Sequence, residues 1–242
     1  MCAWHAKVTG AYARDSQEAL DNVKMIAQAL LGEGWSHYSV AALLGNGAGE
    51  SGLNPWRWES DYVPTYNEFL SWQGSVAQQH GYGLFGFTPA SSYINSNNEQ
   101  TYTRYGYAPN FSDIAGNARD GEAQLRYFIT TVSPNWTHYL YSYYWDNFND
   151  IGVNIDNFYF MTFSEFTSGK DANDNDIPLD YLTGAFELCY EKPADWAAAS
   201  SYNYRVSNAQ YWYDVIKDIP VPGGESDGFN IMFYLKPKYK RM

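Results

Sequence analysis

Basic charge is scarce in this chain. Only 15 Lys and Arg stand against 27 acidic residues among 242 positions, a formal net charge of −12. Nucleic acid and anionic membranes are held through basic faces, so neither is expected as the main partner. Cysteine is scarcer still, with Cys2 and Cys189 far apart. That excludes a disulfide framework and leaves room for one bridge at most. Four His and two Cys offer no CxxC or HxxxH spacing, so no metal site and no cofactor is expected. No run approaches the ~18 apolar residues of a membrane span. Met1 to Lys7 carry no apolar h-region, so the reading expects a soluble chain without a secretory signal, taken to any target outside the cytoplasm by other means. Internal repeats are missing, and so is any alternating pattern long enough for a large sheet.

Aromatic residues are plentiful, at 19% with 23 Tyr and 9 Trp. Hydrophobic residues reach 45% and charged residues 17%, enough to bury a real core. The rings suit either a core with rigid loops or a groove whose flat faces pack against sugars. Length fits one domain or two small ones.

Asp15-Ser16-Gln17-Glu18 reads as a helix start, followed by an apolar stripe at Ala19, Leu20, Val23, Ile26, Ala27, Leu30 and Leu31. Gly32 and Gly34 end it. Ser36 caps a second helix carrying Val40, Ala41, Leu43 and Leu44, which runs into the glycine-rich segment 45–52. So many glycines at a helix end imply close backbone approach or unusual dihedrals. Residues 54–90 read as loops with a short hairpin, and further helices are expected over 117–132, 139–145, 158–166, 178–191 and 208–219. The expected class is mainly α (α+β). Residues 221–228 have the composition of a linker, leaving 1–220 as the domain and 229–242 as a short basic tail.

Glu50 is the centre of the chemical reading. A carboxyl at the buried end of an apolar helix loses solvation and keeps its proton toward neutrality, which is what glycosidic cleavage needs to protonate a leaving oxygen. A second carboxylate is available nine or eleven residues on, at Glu59 or Asp61, with Asp61 preferred. Trp56, Trp58, Tyr82 and Phe87 are candidates for stacking on sugar, and equally for the core. In Gly81-Tyr82-Gly83-Leu84-Phe85-Gly86-Phe87-Thr88, the P-loop lysine is missing. A strand and turn facing a ligand, with the Thr88 hydroxyl offered, is the better reading. Asp171 to Asp176 has the acidic composition of a calcium loop but lacks its turn glycine and its bidentate Glu. A solvated acidic loop is expected there.

Several segments together resemble the phage tail lysozyme family. They are Gly34-Trp35, Ala41 to Asn46, Glu50-Ser51-Gly52-Leu53-Asn54-Pro55 with Trp58, and Gly81 to Leu84 with Thr88 to Ser91 and Tyr93-Ile94. Phe186 to Ala194 resembles the family's late Tyr-Glu-Arg-Pro motif, and Arg205 and Ala209 to Tyr213 follow in order. The resemblance implies a lysozyme-like fold with a small β-hairpin or loop lobe beside the catalytic helix. It implies Glu50 as the acid, the peptidoglycan glycan strand as substrate, and a place for Tyr190 in substrate binding. One position departs: the family often has Gln where this chain has Gly86.

The function expected is cleavage of the β-1,4 bond between N-acetylmuramic acid and N-acetylglucosamine by a phage tail component, in contact with other tail proteins. Alternatives are a lytic transglycosylase acting on the same bond and an inactive structural tail-tip protein. An acidic chain diffuses poorly toward an anionic wall, which favours delivery by the virion over a cytoplasmic lysin released by a holin.

Overall fold

A computed structural model describes residues 4–7, 10–61, 80–88, 91–94, 120–138, 142–192 and 195–221. Among these the fold is mainly helical. Helix α1 spans Gln17–Gly32 and α2 spans His37–Glu50. Then come α3 (Asp120–Asn135), α4 (Ser142–Asp150), α5 (Phe163–Ser168), α6 (Leu179–Phe186) and α7 (Asp195–Ile216). β-pairing among the described residues is confined to isolated antiparallel bridges, two of which (Trp58–Tyr82 and Tyr82–Phe87) form a small lobe beside the end of α2. Residues 62–79, inside the expected loop and hairpin region, lie outside the described residues, as do 222–242, which hold most of the expected linker and all of the tail.

The apolar stripe of α1 is buried at Ala19, Val23, Ile26, Ala27, Leu30 and Leu31. Burying each large aliphatic side chain contributes about 1.5–3 kcal/mol. Its cap is Ser16, within the predicted start, with the hydroxyl accepting from the Ala19 N–H at 3.2 Å. Ser36 caps α2 as the sequence predicts.

Helix α2 is the centre of the molecule, flanked by α7, α6, α1 and α5. It is buried continuously from Ser39 to Gly47, so its pattern is a helix apolar all round rather than a stripe. The glycine-rich segment does not end this helix: Gly45, Gly47 and Gly49 all lie within it. Gly45 shows why. A β-carbon there would sit 2.5 Å from the Arg205 carbonyl oxygen and 2.7 Å from Ala209 Cβ, so α2 and α7 cross in near backbone contact.

Other boundaries moved. Of the expected 158–166 helix only 163–166 is α-helical, as the start of Phe163–Ser168, which opens on a capping box between Thr162 and Glu165. The expected 178–191 helix breaks pitch after Phe186 into a π turn, Glu187–Glu191, where the Lys192 N–H donates to the Glu187 carbonyl at 2.8 Å. Helix α7 begins thirteen residues before the predicted 208, at Asp195. Its buried face carries Arg205 and Asn208 among Ala199, Tyr202, Ala209, Trp212 and Ile216, and the polar members hide the stripe.

Cys189 is buried with a free thiol, and burial pushes that thiol up to about 12; Cys2 lies outside the described residues. No helix among the described residues is long and apolar enough to cross a membrane. In the acidic loop, Asp171 Oδ1 accepts the N–H groups of Asn173 and Asn175, both at 2.8 Å, and Lys170 pairs with Asp176 at 2.7 Å.

Candidate active site

Glu50 is the last residue of α2. The chain then turns sharply through Ser51 and Gly52 toward Trp58, and this turn is fastened to the segment 81–88. Ser51 donates its hydroxyl to the Leu84 carbonyl at 2.7 Å. Buried Gln124 of α3 ties both segments, accepting from the Leu84 N–H at 2.8 Å and donating to the Pro55 carbonyl at 2.7 Å. Each polar atom is satisfied in a buried place, so the two loops are held at fixed separation. Between them opens a cleft of about 160 Å³ whose lining includes Glu50, Arg57, Trp58, Glu59, Tyr82 and Gly86.

Glu50 is not the wholly dry carboxyl that the sequence suggests. Its side chain is 29% exposed, and Oε1 accepts from Arg205 Nη2 at 2.5 Å. Nor does it stand in bulk water, because Gly86 closes on its other oxygen: a β-carbon at 86 would be 3.0 Å from Glu50 Oε2. Gly86 has φ +56°. The absence of a side chain there admits Glu50 to the cleft.

Arg205 is itself only 5% exposed. Its Nη1 donates to Asn46 Oδ1 at 2.9 Å, and Asn46 in turn donates to the Ala42 and Thr183 carbonyls, tying α2 to α6. Its Nε pairs with Glu187 Oε1 at 3.1 Å, which also accepts from the Ser201 hydroxyl at 2.6 Å. Glu187 is fully buried, and its Oε2 has no hydrogen-bond partner. Burial, and secondarily the charge of Glu50, push the Glu187 carboxyl up to about 7 against the pull of Arg205 and Ser201. Glu191 Oε1 is likewise shut away without a partner. Burial, then the charges of Glu50 and Glu187, raise that carboxyl well above the ordinary range. The fully buried carboxyl is therefore that of Glu187, which shares the Arg205 guanidinium with Glu50. Glu187 and Glu191 both stand in the late motif of the sequence, which assigns them no role. Two acids four apart, at the end of an apolar helix, were the available signal.

The two candidate second carboxylates separate. Asp61 turns outward: Oδ1 accepts the Gly10 N–H at 2.7 Å and Arg57 Nε at 3.0 Å. Those two hydrogen bonds hold its carboxyl below the usual range. It straps the segment around Gly10 and does not line the cleft. Glu59 does line the cleft, and its Oε2 accepts the Gly81 N–H at 2.8 Å.

The stacking candidates divide as well. Trp56, Trp58, Tyr82 and Phe87 are all buried. Trp56 meets Tyr82 edge-on at 6.0 Å, and Phe87 stacks on Tyr93 at 5.3 Å, so these rings build the lobe's own core. Trp58 and Tyr82 also line the cleft. Tyr190 packs edge-on against Phe128 at 5.3 Å and against Phe186 at 5.0 Å, away from the cleft lining. Thr88 is exposed at the rim, its hydroxyl donating to the Gly86 carbonyl at 2.7 Å. Among the described residues, no group of three or more His, Cys, Asp or Glu is placed to hold a metal ion.

The family described as phage tail lysozyme matches residues 21–216, which include Glu50, the cleft, the π turn and Arg205. The chain is similar to "Morphogenesis protein 1" of Bacillus phage B103, 28% identical over 202 residues. That alignment covers 83% of this chain and 40% of the relative, so the chain spans less than half the length of that relative.

Proposed function

The chain belongs to the phage tail lysozyme family, and from that premise we propose that it cleaves the glycan strand of peptidoglycan at the β-1,4 bond of N-acetylmuramic acid. The observation that carries this reading is the open face of Glu50: one oxygen is fixed by Arg205 while the other looks past Gly86 into a cleft that also holds Glu59. In its protonated form Glu50 gives its proton to the glycosidic oxygen. The C1–O bond breaks with its electron pair going to that oxygen, and positive charge develops on the ring. Arg205 then stands ready to bind the carboxylate that Glu50 becomes. Glu59 is the second carboxylate, stabilising the ring charge or activating water. Trp58, Tyr82 and Thr88 border the bound strand.

One observation favours a second reading. Asp61 is engaged by Gly10 and Arg57, and Glu59 already accepts from Gly81. If neither carboxylate serves, the muramyl 6-hydroxyl attacks C1 and leaves a 1,6-anhydro end, as a lytic transglycosylase does. Mass spectrometry of digested muropeptides separates reducing ends from anhydro ends.

The setting proposed is the virion, in contact with other tail proteins and acting locally on the wall during infection. Residues 1–220 are the hydrolase domain, 221–228 a linker and 229–242 a tail. A zymogram on host walls tests the activity. Wild type clears, and Glu50→Gln loses ~10²–10⁴-fold, the usual contribution of a positioned acid. No clearing by wild type leaves a structural tail protein; equal clearing by both removes Glu50 from the chemistry.

A further inference from the structure

Two carboxyl groups meet one guanidinium at the edge of the cleft, and a third stands on the same turn without pairing to it. Arg205 reaches Glu50 at 2.5 Å and Glu187 at 3.1 Å, and Glu191 stands on the same π turn as Glu187 with a buried, unpartnered Oε1. The π turn is itself informative. One extra residue in the turn re-aims the side chains that follow, and such turns concentrate at functional sites. If every carboxyl were ionised, the cluster would hold more negative charge than one cation can balance. A buried excess charge is far more costly than a buried proton.

We propose that Glu191 is a positioning residue that holds a proton in the resting protein, and that its neutrality leaves Arg205 free to hold Glu50 and Glu187 at once. This rests on the reading of Glu50 as the acid. When Glu50 gives up its proton it becomes a carboxylate, and Arg205 can receive that charge only while no third carboxylate draws it away. The titratable groups facing Glu191 are Glu50 from α2, Glu187 from its own turn and Arg205 from α7, with the phenol of Tyr190 beside it. Two of these are acids that raise it, and burial acts in the same direction.

Infrared difference spectroscopy of the whole chain tests this without substrate. The wild type at neutral pH is expected to show the carbonyl stretch of protonated carboxyls, to which Glu187 also contributes, and Glu191→Gln to lose the component that persists in Glu187→Gln. Glu50→Gln is expected to keep it. Glu187→Gln serves as the second variant should Glu191→Gln not fold: removing one neighbouring negative charge moves the midpoint of the band to lower pH. The proposal is overturned if the wild type has no such band at neutral pH, if the band survives undiminished in a folded Glu191→Gln, or if its midpoint stands still in Glu187→Gln. These outcomes are independent of wall clearing, so failure of the zymogram strikes the activity and leaves the protonation result to be judged alone.

Discussion

Arg205 Nη2 stands 2.5 Å from Glu50 Oε1, which joins the end of one helix to the middle of another across 155 positions of sequence. The guanidinium is planar and carries its donors in a fixed fork, so it serves Glu50, Glu187 and Asn46 in three directions. An ammonium could not. Arg205→Lys is therefore expected to fold but to lose most wall clearing, because Glu50 is no longer aimed. Arg205→Ala leaves buried Glu187 uncompensated and should cost about 3–5 kcal/mol, the range for breaking one side of a buried pair. Urea unfolding of the two variants beside a zymogram checks both expectations.

Gly86 tests how closely the cleft fits Glu50. In Gly86→Ala the new methyl group lies 3.0 Å from Glu50 Oε2 and 3.3 Å from its Cβ. The left-handed backbone adds roughly 1–2 kcal/mol of strain for a residue with a β-carbon. Folding survives, but the carboxyl moves. Displacements near 1 Å can cost about 10²-fold in rate. Clearing should fall by about that factor while the unfolding midpoint shifts only modestly. A variant that clears like wild type would show that Glu50 tolerates movement.

The two acids beyond Trp58 give opposite expectations. Asp61 holds Gly10 and Arg57 on the outer face, so Asp61→Asn should leave the rate of wall cleavage close to wild type. Glu59 lines the cleft, and Glu59→Gln should reduce cleavage by about a hundredfold, the low end for a general acid–base group. Rates measured on purified walls decide between them, and a reversed outcome would return Asp61 to the chemistry.

The sequence made the first two helices legible because their signals are local. Ser36 caps what it was read to cap, and the α1 stripe is the buried one. Glu50 could be picked out because it ends an apolar helix. Its environment could not, because that environment comes from residue 205 and from the missing side chain at 86. The placement of Asp61 is hidden from the sequence for a related reason. Its partner Gly10 lies 51 residues away, and spacing from Glu50 says nothing about a strap from the chain's beginning. The π turn escaped detection because 178–191 has good helical periodicity up to Phe186. At the change of pitch Glu187 meets Arg205 and Ser201, contacts made across the fold that local sequence does not reveal.

Glu187 gives a prediction about stability against pH. In the folded protein burial lifts its carboxyl to about 7, against an ordinary value of 4.5. Between those values the folded state holds a proton that the unfolded chain has released, so folding takes up protons there. Stability must then fall as pH rises through that window, and level off above about 7. At about 1.4 kcal/mol per unit, the full effect is on the order of 3 kcal/mol. Glu187→Gln cannot ionise, keeps the side chain's shape, and should flatten this part of the curve while forfeiting the ion pair with Arg205. Urea denaturation of wild type and Glu187→Gln at a series of pH values between 4 and 8 provides the measurement. Parallel curves for the two proteins would mean that Glu187 is ionised throughout, with Arg205 fully offsetting the cost of its burial.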